Sequence, residues 1–292
     1  MIKRLRRYFI ISVKVELIER ETVKIYRMST LDLQNNPVLW VSAYLIDGLL
    51  IDFGHYHAKD HFLNLLDFEN VEICVLSHHH EDHIGACYDL INKYKTSIYG
   101  TKITLFLVRQ KIRIPPERML TWGLPKPFKG KLLPNQEYIN TTKARFKIIP
   151  SPGHCKNLIS FFHLKKQLLF STDAFIDEKQ NVIFNWENAI EMLETFNKFK
   201  ILNPKYIFLE DGRVITIKEL NNLIEYWYDI REKCVDLFNK SINPRQIVKR
   251  IFGKESWLKA ATGGDMSREN LVRSLLKLPP IFKRRIRKKG SK

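Results

Sequence analysis

The sequence has little cysteine, no long apolar run and a shortage of acid. Its four cysteines, Cys74, Cys87, Cys155 and Cys234, form no CxxC pair and no framework spacing. This argues against a disulfide scaffold and for reduced thiols in a cytosolic compartment. No apolar stretch reaches the length of a membrane-spanning helix, so no membrane partner is expected. The start, Met1-Ile-Lys-Arg-Leu-Arg-Arg followed by apolar Tyr8 to Val13, superficially resembles a secretion signal. The apolar part is too short, is cut by Lys14 and lacks a small-residue cleavage site, so the expected location is cytoplasmic. There is no internal repeat and no low-complexity tract.

Acidic residues number 31 against 49 lysines and arginines, a formal net charge of +18 over 292 residues. The excess is concentrated at the ends, in Lys3, Arg4, Arg6 and Arg7 and in Lys283, Arg284, Arg285, Arg287, Lys288, Lys289 and Lys292. Such tails can hold phosphate backbones without sequence preference. No aromatic stacking residues lie among the tail charges, so solvated ends are favoured over a built nucleic-acid platform. The length suffices for a large core, either one big α/β domain or a domain with an appendage.

Patterning gives the architecture. Ala43 to Ile46, Asp47-Gly48 and Leu49 to Asp52 read as a hairpin, because Asp-Gly between apolar runs suits a tight turn. A buried strand is expected around Val71, Ile73 and Val75, then a helix through Leu90, Ile91 and Tyr94. Residues 101–138 carry proline, lysine and large apolars without clear period and read as a loop or lid. Strands follow at 146–149, 158–162, 168–170 and 206–209, with a helix over 186–200. Thr216 and Glu219 form a capping box for a helix whose stripe is Leu220, Leu223, Ile224, Trp227, Ile230, Cys234 and Leu237. This three-four spacing marks core. Two shorter helices, 245–252 and 267–277, flank a Gly263-Gly264 break and form a helical C-terminal extension. Alternating strands and helices indicate an α/β fold.

The chemistry is concentrated in Ser77-His-His-His-Glu-Asp-His-Ile-Gly85. Packing histidines and an aspartate at a strand end is costly unless a cation compensates. Imidazole and carboxylate are the ligand set of zinc, iron and manganese. His78 and His80 stand two apart on an extended segment and leave from one face toward a single ion. Asp82 and His83 follow where the chain turns and are free for a second ion. His79 and Glu81 alternate outward, as support for the ligands or as solvent-facing groups.

The string His78, His80, Asp82, His83 resembles the H-x-H-x-D-H signature of the metallo-β-lactamase superfamily. Further elements resemble that family in order. Asp52-Phe53-Gly54 is similar to its D-T-G turn, Ser151-Pro152-Gly153-His154 to T-P-G-H, and Ser171-Thr172-Asp173 to S-G-D. The likeness spans roughly Val23 to Leu237. It implies a four-layer αββα sandwich over residues 1–240, with the basic N-terminal stretch, and a helical extension with the basic tail over 241–292. It also implies that His154 joins His78 and His80 on one ion and that Asp173 bridges to a second. The family's last histidine is replaced in the run Glu210-Asp211-Gly212. Either Asp211 coordinates the second ion through oxygen, or that site is weak and one ion works alone.

The resemblance implies a hydrolase that uses a metal-bound hydroxide, with zinc, two ions, as the expected cofactor and iron or manganese as alternatives. Asp82 would orient the nucleophile and shuttle the proton. A glyoxalase-II-like thioester or ester of small size is the expected substrate. The alternatives are a nuclease of the same fold and a catalytically weak metal-binding scaffold. Cys155 beside His154 is read as packing, His163 as a strand residue, and His55, His57 and His61 as exposed more readily than substrate-contacting. Arg213 is balanced between holding an anion and ordinary surface.

Overall fold

A computed structural model describes residues 11–135 and 137–280; the expected basic clusters at 3–7 and 283–292 lie outside the described residues. The chain opens on β1 (Val13–Arg20) and β2 (Val23–Thr30), an antiparallel pair. Then come β3 (Val41–Ile46) and β4 (Leu49–Ile51), joined at Asp47-Gly48, where φ is 44° and 88°. Two positive φ values in succession match the right-handed twist of the strands, which is why this turn uses Asp-Gly. Next are α1 (Lys59–Leu65), β5 (Ile73–Val75), α2 (Cys87–Asn92) and β6 (Ile98–Gly100). After them come α3 (Lys102–Val108), α4 (Pro116–Trp122) and β7 (Lys131–Leu132). β1 to β7 form one sheet in sequence order.

The second half runs β8 (Tyr138–Asn140), β9 (Arg145–Pro150), β10 (Ile159–His163), β11 (Leu168–Thr172) and β12 (Ile183–Phe184). It continues with α5 (Ala189–Leu202), β13 (Tyr206–Leu209), β14 (Val214–Ile215) and α6 (Ile217–Asn239). The chain closes with α7 (Pro244–Phe252), α8 (Leu258–Ala261), β15 (Met266–Ser267) and α9 (Arg268–Leu275). The second sheet has the order β14-β13-β11-β10-β9-β8, and β12 pairs with β15.

Three apolar layers separate four layers of structure. Between the sheets, Ile25, Tyr44, Ile51 and Val75 meet Ile148, Phe161, Phe170 and Phe208. The period of two along β2 sends Tyr26 and Met28 to the other face, against Phe62 of α1, Leu90 of α2 and Trp122 of α4. On the far side Leu169 and Ile207 pack on Phe196, Phe199 and Trp227. This is the αββα sandwich. Tyr44 ties the sheets together: its hydroxyl donates to the Leu209 carbonyl, and its ring lies against Phe170 and Phe208.

The capping box at Thr216 and Glu219 is present, and the α6 stripe from Leu220 to Cys234 is buried. Several elements differ from expectation. β1 and α1 are absent from the sequence reading, and α3 and α4 occupy the segment expected to be loop. Each is a helix of seven residues, too short for a 3.6-residue period to stand out, and depends on its packing face. α5 begins at Ala189, after Asn188, whose side chain accepts from the amides of Ile190 and Glu191. The helices after Asn239 share the α5–α6 core through Ile247, Val248, Leu271 and Val272.

β4 and β5 run parallel, as do β11 and β13, and β9 is related to β11 by two antiparallel steps. Their C-terminal ends therefore gather at one rim of the sandwich, where the Ile159 amide donates to the Ser77 carbonyl at 3.1 Å and joins the sheets. Because α9 belongs to the same core as α6, Leu271→Ala should lower the stability of the whole chain by about 2–5 kcal/mol. Denaturant titration should show this in one transition. A separate early transition would instead identify the C-terminal helices as an independent unit.

Candidate metal centre

The rim receives one loop from each of these strand ends. β5 leads into the loop carrying His78, His80, Asp82 and His83; His154 follows β9 and Asp173 follows β11. Two glycines allow the loops to close. A Cβ at Gly85 would come 2.1 Å from the His55 carbonyl carbon, and one at Gly153, where φ is 133°, would come 2.7 Å from the Met192 amide. Only glycine permits both approaches.

Of the groups of ligand-type atoms that result, two contain Asp173: His78, His80, His154 and Asp173 in one, Asp82, His83 and Asp173 in the other. In the first, His154 Nε2 is 2.8 Å from His80 Nδ1 and 3.4 Å from Asp173 Oδ2, and His78 Nε2 is 3.7 Å from that oxygen. In the second, His83 Nε2 is 2.8 Å from Asp173 Oδ1 and 4.0 Å from Asp82 Oδ2. Atoms about 2.0–2.1 Å from a tetrahedral ion sit roughly 3.3 Å apart, so both groups have the dimensions of a coordination shell. The two oxygens of Asp173 address different groups.

The unpartnered atoms test the fit. His78 Nε2, His83 Nε2, Asp82 Oδ1 and Asp173 Oδ1 are buried without a hydrogen-bond partner. His83 Nε2 and Asp173 Oδ1 are close but misaligned for a hydrogen bond. Such orphans are costly in a sealed site unless a cation receives the lone pairs.

The opposite ring nitrogens are engaged. His83 Nδ1 contacts Asp52 Oδ2 at 2.9 Å, His154 Nδ1 contacts Glu187 Oε1 at 2.5 Å, and His78 Nδ1 contacts Ser77 Oγ at 2.9 Å. A carboxylate behind an imidazole fixes its tautomer and aims the other nitrogen at the ion. Asp52 also accepts from the Ser77 amide at 2.8 Å and hydroxyl at 2.6 Å, while its backbone adopts φ 59°.

Electrostatics divide the histidines. Burial first, then neighbouring imidazoles, holds His78 and His80 well below the ordinary histidine range, which favours the neutral imidazole, the form able to coordinate a metal. Burial also pushes His83 down, but Asp173, Asp52 and Asp82 outweigh it and raise it. His154 is likewise opposed by burial and raised by Glu187 and Asp173. Burial pushes the Cys155 thiol up to about 12, which disfavours it as a nucleophile.

Asp211 is not brought into either group. Its carboxylate takes the Arg213 amide at 3.0 Å and Nε at 2.6 Å. Arg213 in turn reaches Asp177 and the Ile176 carbonyl, so this pair clamps a surface turn rather than presenting a free cation. The adjacent Glu210 carboxyl senses the centre: burial, then Asp173, Asp211 and Asp82, raise it well above the carboxylate range. Glu81 is buried and takes Arg118 Nε at 2.5 Å, which removes the solvent-facing reading. His163 is a buried strand residue 2.9 Å from Asp47, and His61 is exposed. His55 corrects its expectation: it is 0% exposed, with its ring 5.2 Å from Trp122.

Three residues escaped sequence reading. Arg118 on α4 stands 4.0 Å from Asp82 and above the rings of Trp186 and Phe184, which stack at 4.3 Å. Trp186 is 6.5 Å from the His80 ring. Glu187 orients His154. No local spacing links any of them to the motif.

Comparison with known proteins agrees with this geometry. A profile described as the Metallo-beta-lactamase superfamily matches residues 38–209. The chain is 22% identical over 217 residues to a Drosophila melanogaster "Beta-lactamase-like protein 2 homolog", covering 70% of each. It is 40% identical over 86 residues to Bacillus subtilis ribonuclease J2, covering 26% of this chain and 16% of that protein. It is 26% identical over 111 residues to the Haemophilus influenzae hydroxyacylglutathione hydrolase GloC, covering 36% of this chain and 50% of that one. Among solved structures, a metallo-beta-lactamase from Pontibacter korlensis aligns with TM-score 0.58 at 13% identity, over 73% of this chain and 98% of that one.

Burial holds His55 down at about 3, against 6.5 when unfolded. The folded state therefore binds fewer protons than the unfolded state below pH 6.5, and stability falls as pH drops toward 3. The loss approaches about 1.4 kcal/mol per pH unit. His55→Phe should flatten the fall in Tm between pH 6.5 and 4 relative to the parent. Parallel curves would refute this.

Proposed function

The chain belongs to the metallo-beta-lactamase superfamily, and within it we propose a hydrolase acting on a small-molecule thioester or ester. Its ions are held by His78, His80 and His154 on one side and by Asp82 and His83 on the other, with Asp173 between. The observation that carries this reading is Asp173, whose two oxygens lie within ligand spacing of both groups. Zinc suits the mixed nitrogen and oxygen donors, and two ions are expected. Asp211 is left out, because Arg213 holds its carboxylate.

A metal bound there supplies Lewis acidity and lowers the pKa of water to about 7. The protein's part is orientation. Asp82 keeps one buried oxygen unpartnered, in position to accept a hydrogen bond from attacking water and to carry its proton. Arg118 offers a fixed positive charge beside Asp82, suited to an anionic group on the substrate. Trp186 and Phe184 form an aromatic wall next to it. A cavity of about 690 Å³ shares Phe184, Trp186 and Glu187 with that wall and is otherwise lined largely from α5 and α9. The similarity to GloC over 111 residues supports a thioester. The four free thiols suit the reducing cytoplasm.

A second reading, a nucleic-acid phosphodiesterase, is favoured by the +18 charge and by the likeness to ribonuclease J2. Both readings use the same residues. The deciding experiment pairs metal content with turnover on thioesters, esters, lactones and phosphodiesters. Thioester or ester turnover is expected; strongly salt-dependent cleavage of RNA alone would transfer the assignment to the second reading.

Asp82→Ala should reduce turnover about 10²–10⁴-fold while the protein stays folded. Arg118→Ala should raise KM for anionic substrates more than for a neutral analogue. Asp211→Ala should leave metal content unchanged by elemental analysis, and loss of one ion would restore Asp211 to the ligand set.

A further inference from the structure

A third group of donor atoms stands beside the two already described: His79, His80 and Cys155, with one atom of each within 4.8 Å of the others. Neither His79 nor Cys155 has a part in the hydrolytic reading. Three observations give the group the character of a site. His79 Nδ1 is buried and has no hydrogen-bond partner. Asn157 lies close enough to the His79 ring to act on it. Asn157 is itself fixed, its amide nitrogen donating to Thr104 Oγ1 at 2.9 Å. Thr104 in turn donates its amide to the side chain of Thr101, the N-cap of α3, so the support runs back into that helix. An imidazole beside a fixed amide, with one nitrogen bare, is the arrangement used to aim a metal ligand.

The donor set decides the class of ion. Two imidazoles and a thiol select zinc, cadmium or monovalent copper over calcium, magnesium or manganese. No carboxylate belongs to this group, in contrast to the other two. Cys155 is partly exposed, whereas Cys74, Cys87 and Cys234 are buried.

We propose that His79, His80 and Cys155 form a separate thiolate-containing site for a thiophilic cation, sharing His80 with the hydrolytic centre. Binding releases the thiol proton to solvent and forms a metal–sulfur bond; no redox change is involved. Because His80 also faces His154, an ion held here acts directly on the geometry of the first group. Excess zinc or cadmium would thus be sensed at the active rim itself.

Cobalt titration of the full chain tests the proposal without reference to catalysis. Near-ultraviolet absorption from sulfur-to-cobalt charge transfer is expected in the parent and should vanish in Cys155→Ser. Asn157→Leu, which removes the support behind His79, should weaken cadmium binding about 10–100-fold by calorimetry. Absence of the band at saturating cobalt, or its persistence in Cys155→Ser, would overturn the site. The hydrolytic assignment is judged by turnover and by the other ligands, so either can fail alone.

Discussion

The Asp52 carboxylate governs how the rim is built. It sits at the end of β4 with a left-handed backbone and accepts from the Ser77 amide, the Ser77 hydroxyl and His83 Nδ1. Those three bonds fix the first residue of the motif loop and one of its last. The loop between them therefore has little choice of path, and His78, His80 and Asp82 leave it in set directions. Ser77 passes the constraint on: its hydroxyl also touches His78 Nδ1, and its carbonyl takes the Ile159 amide of the other sheet. One buried anion thus couples both sheets to the placement of the imidazoles. The left-handed φ at Asp52 carries a strain of order 1–3 kcal/mol, which such a network can hold in place.

The arrangement is unfavourable on its own terms, and this limits what the site can be. Five histidine rings crowd together, with His78 and His83 only 4.3 Å apart and His78 and His80 4.5 Å apart. Burial and mutual repulsion keep some neutral, while the carboxylates pull His83 and His154 toward the charged form. A fold stabilised only by packing would replace such groups with apolar ones. Their concentration at strand ends makes the rim a candidate site for a cation.

Much of this was legible because the signals were local. Asp47-Gly48, the Thr216–Glu219 box and the α6 stripe each encode their structure within a few residues. The motif loop, His154 and Asp173 were legible through resemblance, and the structure brings them together. The remainder depended on long-range contacts. Arg118 meets Glu81 across 37 positions, and Glu187 meets His154 across 33. α3 and α4 owe their helicity to packing of Leu105, Val108 and Trp122 rather than to a visible period. His55 follows a turn and looks like surface, yet lies beneath Trp122.

In the run Glu210-Asp211-Gly212 the turn geometry decides where each carboxylate goes. Counting along the chain puts Asp211 where a histidine would stand. The left-handed Gly212 lets its amide return to the Leu209 carbonyl at 3.1 Å, and the Asp211 carbonyl takes Arg27 Nε at 2.8 Å. The turn is thereby pinned to β2, and Arg213 closes on the Asp211 carboxylate. Glu210 is left as the carboxyl of this turn that responds to Asp173 and Asp82. Burial first, and then those neighbours, raise it well above the carboxylate range. The second group presents one imidazole and two carboxylates, against three imidazoles and the shared Asp173 in the first.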